Sequence, residues 1–369
     1  MKKKWHILHV FPSFDTGGCS VRSSQIINEF GDDYYHSILA MDQCYGGKAH
    51  IKKQNNVEYI YSDSFIKPIS LFKKFFLLRQ WLKKIQPDLM ITSNWGSSDW
   101  FIANSIFPLC PYFHMEDGFN EDEMVRQKFR RVLIRRIFLH NVKVMVPAHT
   151  LEKIALEIWK IPRKNVLYIA NGIEWSRFYL PDLSQKPDTC IIGTVCGLRK
   201  VKNIPRLMNA FSSLPEKKDA KLWIVGIGSE KEKLESLARE SFSSCKIEFL
   251  GHKEDPSDCY KQMRIFAISS DTEQMPISVL EAMAAGCAII STDVGDIKNM
   301  VSEENKKFII PKENEAEYRE KLNELMQNRE LCEKLGKSNQ EKCYQEYTKE
   351  NMMDNYSKLY QSFFNKNRL

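Results

Sequence analysis

This sequence of 369 residues lacks several features that mark specialised protein classes. Its ten cysteines are scattered and form no C-x-x-C pair, which excludes the spacings typical of zinc sites and disulfide exchange. No stretch approaches the roughly 18 uninterrupted apolar residues of a membrane span. Cysteines in this pattern are typical of small buried side chains in a reducing compartment. We therefore expect a cytoplasmic protein, either soluble or peripheral on the inner face of the cell membrane.

The N-terminal segment MKKKWHILHVFPSFDTGG is basic and then apolar, as a secretory leader would be. Its apolar run is short, contains two histidines and a proline, and lacks a small-residue cleavage site. The segment is therefore predicted to form a first β-strand.

Length, composition and charge indicate a globular protein of two domains. The chain is longer than one hydrophobic core usually fills. Hydrophobic residues make up 43% of it and charged residues 27%, average values that exclude disordered, collagen-like and coiled-coil proteins. The net charge of +7 comes from the N-terminal half, because residues 1–185 contain 25 Lys and Arg against 18 Asp and Glu.

Short apolar runs alternate with amphipathic stretches, a pattern typical of parallel sheets with crossover helices. The polar, proline-containing stretch PDLSQKPD at 181–188 separates two series of such runs and is the best candidate for a linker. The prediction is an α/β fold of two doubly wound domains, over 1–185 and 186–349. Two or three terminal helices are expected from about residue 313, and the last, over 350–369, is expected to pack on the first domain. The predicted strands are 5–11, 36–41, 57–62, 87–93, 142–147, 165–170, 189–195, 221–226, 246–251, 265–270, 287–292 and 307–311.

Two basic amphipathic segments lie in the first domain, at 65–85 and 125–143. Helices with aromatic apolar faces and basic flanks can lie on an anionic membrane surface. The alternative is a helix that packs on the core and exposes a charged face. Nucleic acid is not an expected partner, since no recognition motif accompanies the charge. The expected apolar faces are Leu71, Phe75, Leu78, Leu82 and Ile85 in the first segment and Val125, Phe129, Val132 and Leu133 in the second, whose basic residues are Arg126, Lys128, Arg130, Arg131, Arg135 and Arg136.

Two glycine motifs follow predicted strands, where open α/β sheets bind their ligands. Gly17 and Gly18 come after the first strand, where backbone N–H groups could approach a phosphate, although Gly-Gly is also common in plain turns. Gly226 and Gly228 form a G-x-G, but neither a third glycine nor an acidic ribose ligand follows at the dinucleotide spacing. That disfavours a nicotinamide-dependent dehydrogenase and favours close packing of strand and helix.

A pair of glutamates marks the segment SSDTEQMPISVLEAMAAGCAIISTDVGD at 269–296, which runs from one strand through a helix into the next. If the helix begins near Pro276, Glu281 lies a turn and a half inside it, and its carboxylate can reach a ribose diol. Glu273, in the preceding loop, can accept hydrogen bonds from sugar hydroxyls. Two carboxylates eight residues apart are common by chance, but this placement around a helix N-terminus is not.

An anion site is predicted at the same helix N-terminus. The N–H groups around Met275, Ile277 and Ser278 point outward at the positive end of the helix, which suits a diphosphate. Arg199 and Lys202, in the loop after an earlier strand, can converge on the same anion. Alone, this basic pair would be read as part of a solvated loop; with the acidic segment it forms half of a nucleotide-diphosphate site.

Together these motifs resemble the C-terminal domain of retaining glycosyltransferases of family 4. The resemblance rests on GTVCGLRKVKN, KLWIVGIGSE, KIEFLG, SSDTEQMPISVLEAMAAG and TDVGD in this order, with Glu273 and Glu281 as the E-x7-E element. It extends to the first domain through the Gly17-Gly18 pair and NGIEWSRF at 171–178. It implies a GT-B architecture, in which two Rossmann-like domains face a central cleft. The second domain would hold a nucleotide-sugar donor and the first an acceptor.

The resemblance also implies roles for individual residues. The basic pair would neutralise the diphosphate, and Gly18 would approach it from across the cleft. Glu281 would hold the ribose, and Glu273, a catalytic residue, would hold the donor sugar. The residues expected to contact the donor are Gly17, Gly18, Arg199, Lys202, Glu273, Met275, Pro276, Ile277, Ser278 and Glu281.

The first domain is expected to contribute residues near the reacting sugar carbon. The segment PYFHMEDGFNEDE at 111–123 resembles the sugar-facing loop of the family, with Asp117 in place of a second histidine. His114 would take a catalytic role near the anomeric carbon, or Glu116 and Asp117 would supply the polar contacts. The alternative is a structural histidine near a strand end. A second departure from the family is Gly197, where many relatives have Arg.

The reaction that the resemblance implies is the metal-independent transfer of a hexose with retention of its anomeric configuration. The sequence contains no D-x-D motif, and no cofactor or metal is expected. The expected donor is a UDP-sugar and the expected acceptor a glycan or lipid-linked saccharide in cell-surface polysaccharide biosynthesis. The alternatives are a sugar-nucleotide epimerase or hydrolase of the same fold, and a non-catalytic subunit that binds nucleotide.

Overall fold

A computed structural model describes residues 4–15, 17–31, 33–55, 57–62, 70–119, 123, 126–215 and 219–364. The chain divides into two compact units. Unit 1 comprises residues 1–170 and 352–369, and unit 2 comprises residues 171–351. None of the helices in the described ranges is both long and apolar enough to span a bilayer.

Unit 1 is built around a seven-stranded parallel sheet. Its strands are β1 (Trp5–Phe11), β2 (Tyr34–Ala40), β3 (Val57–Tyr59), β4 (Leu89–Ser93), β5 (Tyr112–Met115), β6 (Val144–Val146) and β7 (Val166–Tyr168). The strand order is β3-β2-β1-β4-β5-β6-β7, and every neighbouring pair is parallel. The strands are mainly continuous apolar runs, as expected where helices cover both faces of a sheet. Its helices are α1 (Gly18–Phe30), α2 (Leu71–Ile85), α3 (Ser98–Ile106), α4 (Phe129–Phe138) and α5 (His149–Glu157).

Unit 2 repeats this design with a six-stranded parallel sheet. Its strands are β8 (Cys190–Val195), β9 (Ala220–Val225), β10 (Ile247–Gly251), β11 (Ile265–Ile268), β12 (Ala288–Thr292) and β13 (Ile309–Ile310), in the order β10-β9-β8-β11-β12-β13. Its helices are α6 (Trp175–Phe178), α7 (Ile204–Ser212), α8 (Lys231–Ser241), α9 (Ser257–Gln262), α10 (Ile277–Ala284), α11 (Ile297–Met300), α12 (Glu315–Gln327) and α13 (Arg329–Glu346). Strands and helices share a core that contains Ile192, Leu222 and Leu322, all fully buried.

The C-terminal helix α14 (Lys349–Phe364) returns the chain to unit 1, which it rejoins at Met352. Its apolar side packs on the unit 1 sheet, where Tyr356 is fully buried in one cluster with Ile7 and Phe113. Near the end of the helix, Phe364 stacks on Trp5 with ring centroids 4.9 Å apart.

The stretch 181–188 is packed against unit 2 and does not act as a free linker. Leu183 is only 3% exposed and contacts the backbone at Gly286 so closely that a Cβ there would lie 2.3 Å from its side chain. Arg329 donates hydrogen bonds to the carbonyls of Ser184 and Lys186, both at 3.2 Å. The chain therefore passes into unit 2 between Ala170 and Asn171, before the expected boundary at residue 185.

Each of the twelve predicted strands overlaps an observed strand, and one strand was missed. The missed strand is β5, which lies between β4 and β6 near the middle of the unit 1 sheet. Its four residues, YFHM, include a histidine and are too short an apolar run to be distinguished from a loop. This error matters for the site, because it concerns His114.

Each sheet has one point where the strand order reverses. In unit 1 the reversal lies between β1 and β4, and in unit 2 it lies between β8 and β11. Loops that leave adjacent strands in opposite directions open a crevice at such a point, and open α/β sheets bind ligands there. The loops predicted to hold the functional residues of unit 2 follow β8 and β11.

Candidate functional site

The loops after β8 and β11 are joined to each other by hydrogen bonds of backbone and side chains. Asp271 N–H donates to the Val201 carbonyl at 2.9 Å, and the Ser269 hydroxyl donates to the Lys202 carbonyl at 3.1 Å. Arg206 of α7 donates to the Ser269 carbonyl at 2.7 Å and forms an ion pair with Asp271 at 2.9 Å. The two loops therefore form one braced assembly at the reversal point of the sheet.

Lys202 and Glu273 meet directly in this assembly. Lys202 Nζ lies 2.6 Å from Glu273 Oε1, and the Ser270 hydroxyl donates to the same oxygen at 2.7 Å. The two charged side chains are 12% and 10% exposed, so water screens their attraction less than at an open surface. At the carboxyl ends of β8 and β11, the ion pair thus presents a cation beside a carboxylate that can accept hydrogen bonds.

Glycines bring the supporting loops close to this pair. Gly295 has φ +60°, and a Cβ there would lie 2.5 Å from the Gln274 carbonyl oxygen and 2.6 Å from that of Glu273. The Asp296 N–H donates to the same Gln274 carbonyl at 2.8 Å. The TDVGD segment after β12 thus packs against the backbone of the Glu273 loop and holds it in place.

The G-x-G after β9 has a similar packing function. A Cβ at Gly226, where φ is +135°, would lie 1.9 Å from the Cys196 carbonyl oxygen, and one at Gly228 would lie 2.3 Å from that of Leu198. Both glycines therefore allow close approach of the loop after β8. The close packing expected from the sequence is present, but the partner is this loop, whereas a helix was predicted.

The helix α10 begins where the sequence predicts. Pro276 is its N-cap and Ile277 its first residue, and no side chain caps the helix. Ser278 follows in the first turn, so the N–H groups at this end carry the positive end of the helix dipole. Met275 is buried just before the helix, where its carbonyl accepts a hydrogen bond from the Asn171 side chain at 2.9 Å. Met275 thus fixes the loop and contributes no exposed side chain.

Glu281 lies in a different environment from Glu273. Its Oε2 accepts a hydrogen bond from the Tyr260 hydroxyl at 2.6 Å. Burial raises the pKa of Glu281 to about 7, although the Tyr260 hydrogen bond and the positive charge of Arg177 act in the opposite direction. Near neutral pH the carboxyl can therefore gain or lose a proton.

Arg199 is exposed at the edge of the assembly. It lines a cavity of about 210 Å³ between the starts of α7 and α8, together with Lys200, Lys233 and Asp271.

The charged groups of this assembly also act on the Cys196 thiol. Burial raises its pKa to about 11, Glu273 adds to this effect, and Lys202 and Arg199 oppose it. Tyr260, the partner of Glu281, in turn has its pKa raised by burial and by the neighbouring Glu281 and Cys196.

The structure thus pairs Lys202 with Glu273, places Arg199 on the cavity between the starts of α7 and α8, and leaves Glu281 with Tyr260. Sequence reasoning missed Tyr260 and Ser270. Ser270 is the last residue of a predicted strand, three residues before Glu273, a signal that could have been used. Tyr260 lies on another helix, 21 residues from Glu281, and no local pattern indicates that contact.

In unit 1, Gly17 and Gly18 lie exposed at the start of α1, which follows β1. Gly17 has an extended backbone with φ 176°, and no described atom lies within 4 Å of a Cβ built there. Neither backbone conformation nor packing requires glycine at this position. The Gly17 N–H donates to the Ser20 hydroxyl at 3.0 Å.

His114 is fully buried inside β5, contrary to the expectation of a loop residue. Its Nδ1 lies 2.9 Å from the Thr92 hydroxyl, and its Nε2 lies 3.5 Å from Glu116 Oε2. Glu116 is also fully buried and pairs with the buried Arg135 at 3.0 Å. This geometry corresponds to the structural alternative for His114, because neither side chain has surface with which to touch a sugar.

Asp117 is paired inside unit 1 as well. The Arg22 guanidinium of α1 donates to both Asp117 carboxylate oxygens, one of them at 2.7 Å. The Asp117 N–H donates to Asn94 Oδ1 at 2.7 Å, and Asn94 follows β4 with an uncommon backbone φ of 56°. Asp117 thus connects the loops after β4 and β5 to α1 at the carboxyl edge of the sheet. Residues 120–122 of the predicted sugar-facing segment lie outside the described residues.

Known structures share this fold. HepE from Anabaena, in a complex with UDP and glucose, superposes with a TM-score of 0.78 at 14% identity, over 97% of this chain and all of that one. The structural neighbours are GT-B glycosyltransferases, so the predicted fold of two parallel-sheet α/β domains is confirmed. At this identity the likeness establishes the fold alone.

Sequence comparison finds a family match within unit 2. Residues 179–342, most of unit 2, match the family model of Glycosyl transferases group 1. N-acetyl-alpha-D-glucosaminyl L-malate synthase of Bacillus anthracis is 23% identical over 224 residues, which are 59% of this chain and 58% of that protein. N,N'-diacetylbacillosaminyl-diphospho-undecaprenol alpha-1,3-N-acetylgalactosaminyltransferase of Campylobacter jejuni is 22% identical over 333 residues, 82% of this chain and 85% of that protein. The chain spans a little over half the length of the first of these relatives.

Proposed function

We propose that this protein is a retaining, metal-independent glycosyltransferase that moves a hexose from a UDP-sugar to a glycan or lipid-linked saccharide. The observation that carries the proposal is the Lys202–Glu273 ion pair beside the start of α10, at the strand-order reversal of a glycosyl transferases group 1 domain. The setting is the assembly of a cell-surface polysaccharide.

Donor binding would reorganise the ion pair. Without ligand, Lys202 neutralises Glu273 at 2.6 Å. A diphosphate carries more negative charge than a carboxylate, so it would draw the Lys202 ammonium toward itself. Glu273 would then be free to accept hydrogen bonds from hydroxyls of the donor sugar. Arg199 and the first-turn amides at Ile277 and Ser278 would share the remaining phosphate charge.

The chemical demand of such a reaction is to stabilise a leaving group. The bond between the anomeric carbon and the diphosphate oxygen breaks, and its electron pair stays on that oxygen. The acceptor hydroxyl forms the new bond on the same face of the sugar, and its proton passes to the departing phosphate. Cationic side chains and helix N–H groups lower the barrier by binding the charge that develops on the diphosphate.

The nucleotide and acceptor are proposed from the similar proteins. HepE was solved with UDP and glucose, which supports a UDP-sugar as donor. The Campylobacter relative is named for an undecaprenol-diphosphate acceptor, which supports a lipid-linked saccharide. A lipid-linked acceptor would keep the enzyme at a membrane surface.

A donor screen tests the proposal. The full chain is incubated with UDP- and GDP-sugars, with and without octyl glycoside acceptors, in the presence and absence of EDTA. We expect release of UDP that increases with acceptor, survives EDTA, and yields a product whose anomeric proton coupling in NMR matches that of the donor. Glu273→Gln should lower the rate while leaving UDP binding within a few fold.

Other outcomes would assign other functions. Product formed without any acceptor would indicate an epimerase or hydrolase. Binding of UDP without turnover of any sugar would indicate a non-catalytic subunit. Inversion of the anomeric configuration, or abolition of turnover by EDTA, would contradict the proposed mechanism.

A further inference from the structure

The helices on one side of the unit 1 sheet, α2, α3 and α4, expose large apolar side chains. Phe129 is 81% exposed, Phe72 74% and Phe107 65%. Phe76, Ile106 and Ile137 are also exposed. We call these six residues the apolar face.

The three helices that carry the apolar face are joined to one another by hydrogen bonds. Arg79 of α2 donates to the carbonyls of Ala103 and Phe107, at 3.0 and 2.6 Å, which joins α2 to the end of α3. The Tyr112 hydroxyl lies 2.5 Å from the Ser105 hydroxyl of α3 and 3.1 Å from the Phe138 carbonyl at the end of α4. The apolar face is therefore a surface shared by three adjacent helices.

The exposed residues are not the ones that the helices use for the core. In α2, Leu78 and Leu82 are buried against the sheet, as the core-packing alternative predicts. Phe72 and Phe76 form a second stripe, four residues apart, with ring centroids 5.0 Å apart. The expected apolar side of α2 is thus internal, and its exposed rings are a separate feature. The side chain of Leu71, and the whole of Val125, lie outside the described residues.

A strong positive charge accompanies the apolar face. The sequences of α2 and α4 contain nine Lys and Arg residues and no Asp or Glu. Asp99 of α3 is paired with Lys74. Lys73, Lys83 and Arg130 are exposed beside the apolar residues. Arg135 is an exception to the expected basic surface, because it is buried against Glu116.

We propose that the apolar face docks on an anionic lipid bilayer. Aromatic and aliphatic side chains would enter the interface between headgroups and acyl chains, while the surrounding ammonium and guanidinium groups contact anionic headgroups. Charge complementarity favours this occupant. A second copy of the chain would place one basic surface against another, and like charges oppose such a contact. A nucleic acid would match the charge but leave the exposed Phe and Ile side chains without apolar partners.

This inference deepens the proposed function, because the bilayer would present a lipid-linked acceptor. It rests on that function only for the identity of the acceptor. Binding to lipid is measured without a donor or turnover, so either proposal can fail while the other stands.

Vesicle flotation of the full chain tests the inference. Vesicles of phosphatidylcholine alone are compared with vesicles that also contain phosphatidylglycerol, at low and high salt. We expect flotation with the anionic vesicles at low salt, release at high salt, and little binding to phosphatidylcholine alone.

Two sets of variants separate the apolar and electrostatic contributions. Phe72→Ser with Phe129→Ser should lower the partition coefficient by about 100-fold, since each phenyl ring loses an apolar environment. Lys73→Gln, Lys83→Gln and Arg130→Gln together should lower it by about 100-fold, because each basic residue near an anionic surface contributes about fivefold. All five positions are exposed, so far-UV circular dichroism should match that of the unsubstituted chain.

Matched controls come from unit 2. Ile227→Ser with Tyr344→Ser removes two other large apolar side chains that are more than half exposed, and Lys231→Gln, Lys233→Gln and Arg239→Gln together remove three charges; neither set should alter flotation. The inference is overturned if the unsubstituted chain does not float at low salt, or if the unit 1 variants float as well as it does. It is equally overturned if sedimentation shows a dimer that the two Phe substitutions dissociate, or if duplex DNA is retained where the vesicles are not.

Discussion

Glu273 and Glu281 are eight residues apart, yet their surroundings assign them different chemistry. Glu273 is held by the Lys202 ammonium at 2.6 Å and by the Ser270 hydroxyl at 2.7 Å. Glu281 is held by one phenol in a partly buried position, and desolvation raises its pKa to about 7. A pair of carboxyls with such different environments is common in sites that bind polar ligands.

The raised pKa of Glu281 predicts a stability that depends on pH. A carboxyl whose pKa is higher in the folded than in the unfolded chain binds more protons when folded between pH 4.5 and 7, so stability is lost as pH rises through this window. Gln has no proton to lose. Glu281→Gln should therefore gain stability relative to the unsubstituted chain as pH rises, by about 3 kcal/mol between pH 4.5 and 8.

Thermal unfolding of the Glu281→Gln variant and of the unsubstituted chain at pH 5 and pH 8 measures this effect. The contributions of all other titratable groups cancel in the difference between their midpoints. The relative midpoint of the Gln variant should rise by roughly 5 °C or more at pH 8. Glu248→Gln is the control, because Lys221 lowers the pKa of Glu248, so that this carboxyl titrates below the window and its midpoint difference should stay nearly constant between pH 5 and pH 8. A midpoint difference for Glu281→Gln that does not change with pH would contradict the assignment.

At the scale of single residues, local spacing placed Glu273 and Lys202 in loops that follow strands and the start of α10 at Pro276, as the structure has them. That these residues bind a donor stays a prediction. The Tyr260–Glu281 contact could not be predicted, because it depends on how α9 packs against α10. The sequence left the burial of His114 open for a similar reason: it follows from membership of β5, which only strand pairing reveals.

Among the elements, the loops after β8, β11 and β12 act together as one support. The loop after β11 is held from both sides, by Val201 through Asp271 and by the segment around Gly295. Loops that are braced in this way keep their side chains in place without ligand, which lowers the entropy cost of binding.

Gly295→Ala tests this bracing. Alanine at φ +60° costs about 1 kcal/mol, and its Cβ would overlap the carbonyl oxygens of Glu273 and Gln274 at 2.5–2.6 Å, so the loop must move. We expect UDP affinity, measured by calorimetry, to fall by about tenfold or more, together with a lower thermal midpoint.

Gly286→Ala is the matched control, because Gly286 has φ +67° and is also crowded, by Leu183. It lies beyond the C-terminal end of α10, so its substitution should lower the midpoint and leave UDP affinity unchanged. Equal UDP affinity in both variants would show that the Glu273 loop does not depend on Gly295.

The elements themselves were largely predictable, because apolar runs bounded by turn residues indicate buried parallel strands directly. The surroundings of each face of α2 and α4 were harder to predict. Helical spacing placed Leu78 and Leu82 on one side of α2, which is the core side, but it could not show that Phe72 and Phe76 have no partner in the fold. That knowledge requires the packing of α2 beside α3.

For the whole molecule, the two-unit organisation follows from the length and the double series of strands. The position of the boundary does not, because it depends on tertiary packing of polar segments. Residues 181–188 are mostly polar and contain prolines, yet Leu183 and Lys186 are buried in unit 2. The return of α14 to unit 1 is likewise a matter of long-range packing, carried by Tyr356, Tyr360 and Phe364.

The central claim is that Lys202 grips the diphosphate of a nucleotide sugar, and calorimetric titration of the full chain with UDP tests it most directly. Loss of a charge-assisted hydrogen bond should make Lys202→Ala bind UDP about 10- to 100-fold more weakly. The double variant Lys202→Ala with Glu273→Gln separates loss of the cation from repulsion of UDP by an unpaired Glu273. It should still bind UDP at least tenfold more weakly than the unsubstituted chain. Lys221→Ala, which removes an ion pair with Glu248 at the start of β9, should bind like the unsubstituted chain. Undiminished UDP affinity in Lys202→Ala, or no UDP binding by the unsubstituted chain, would contradict the account.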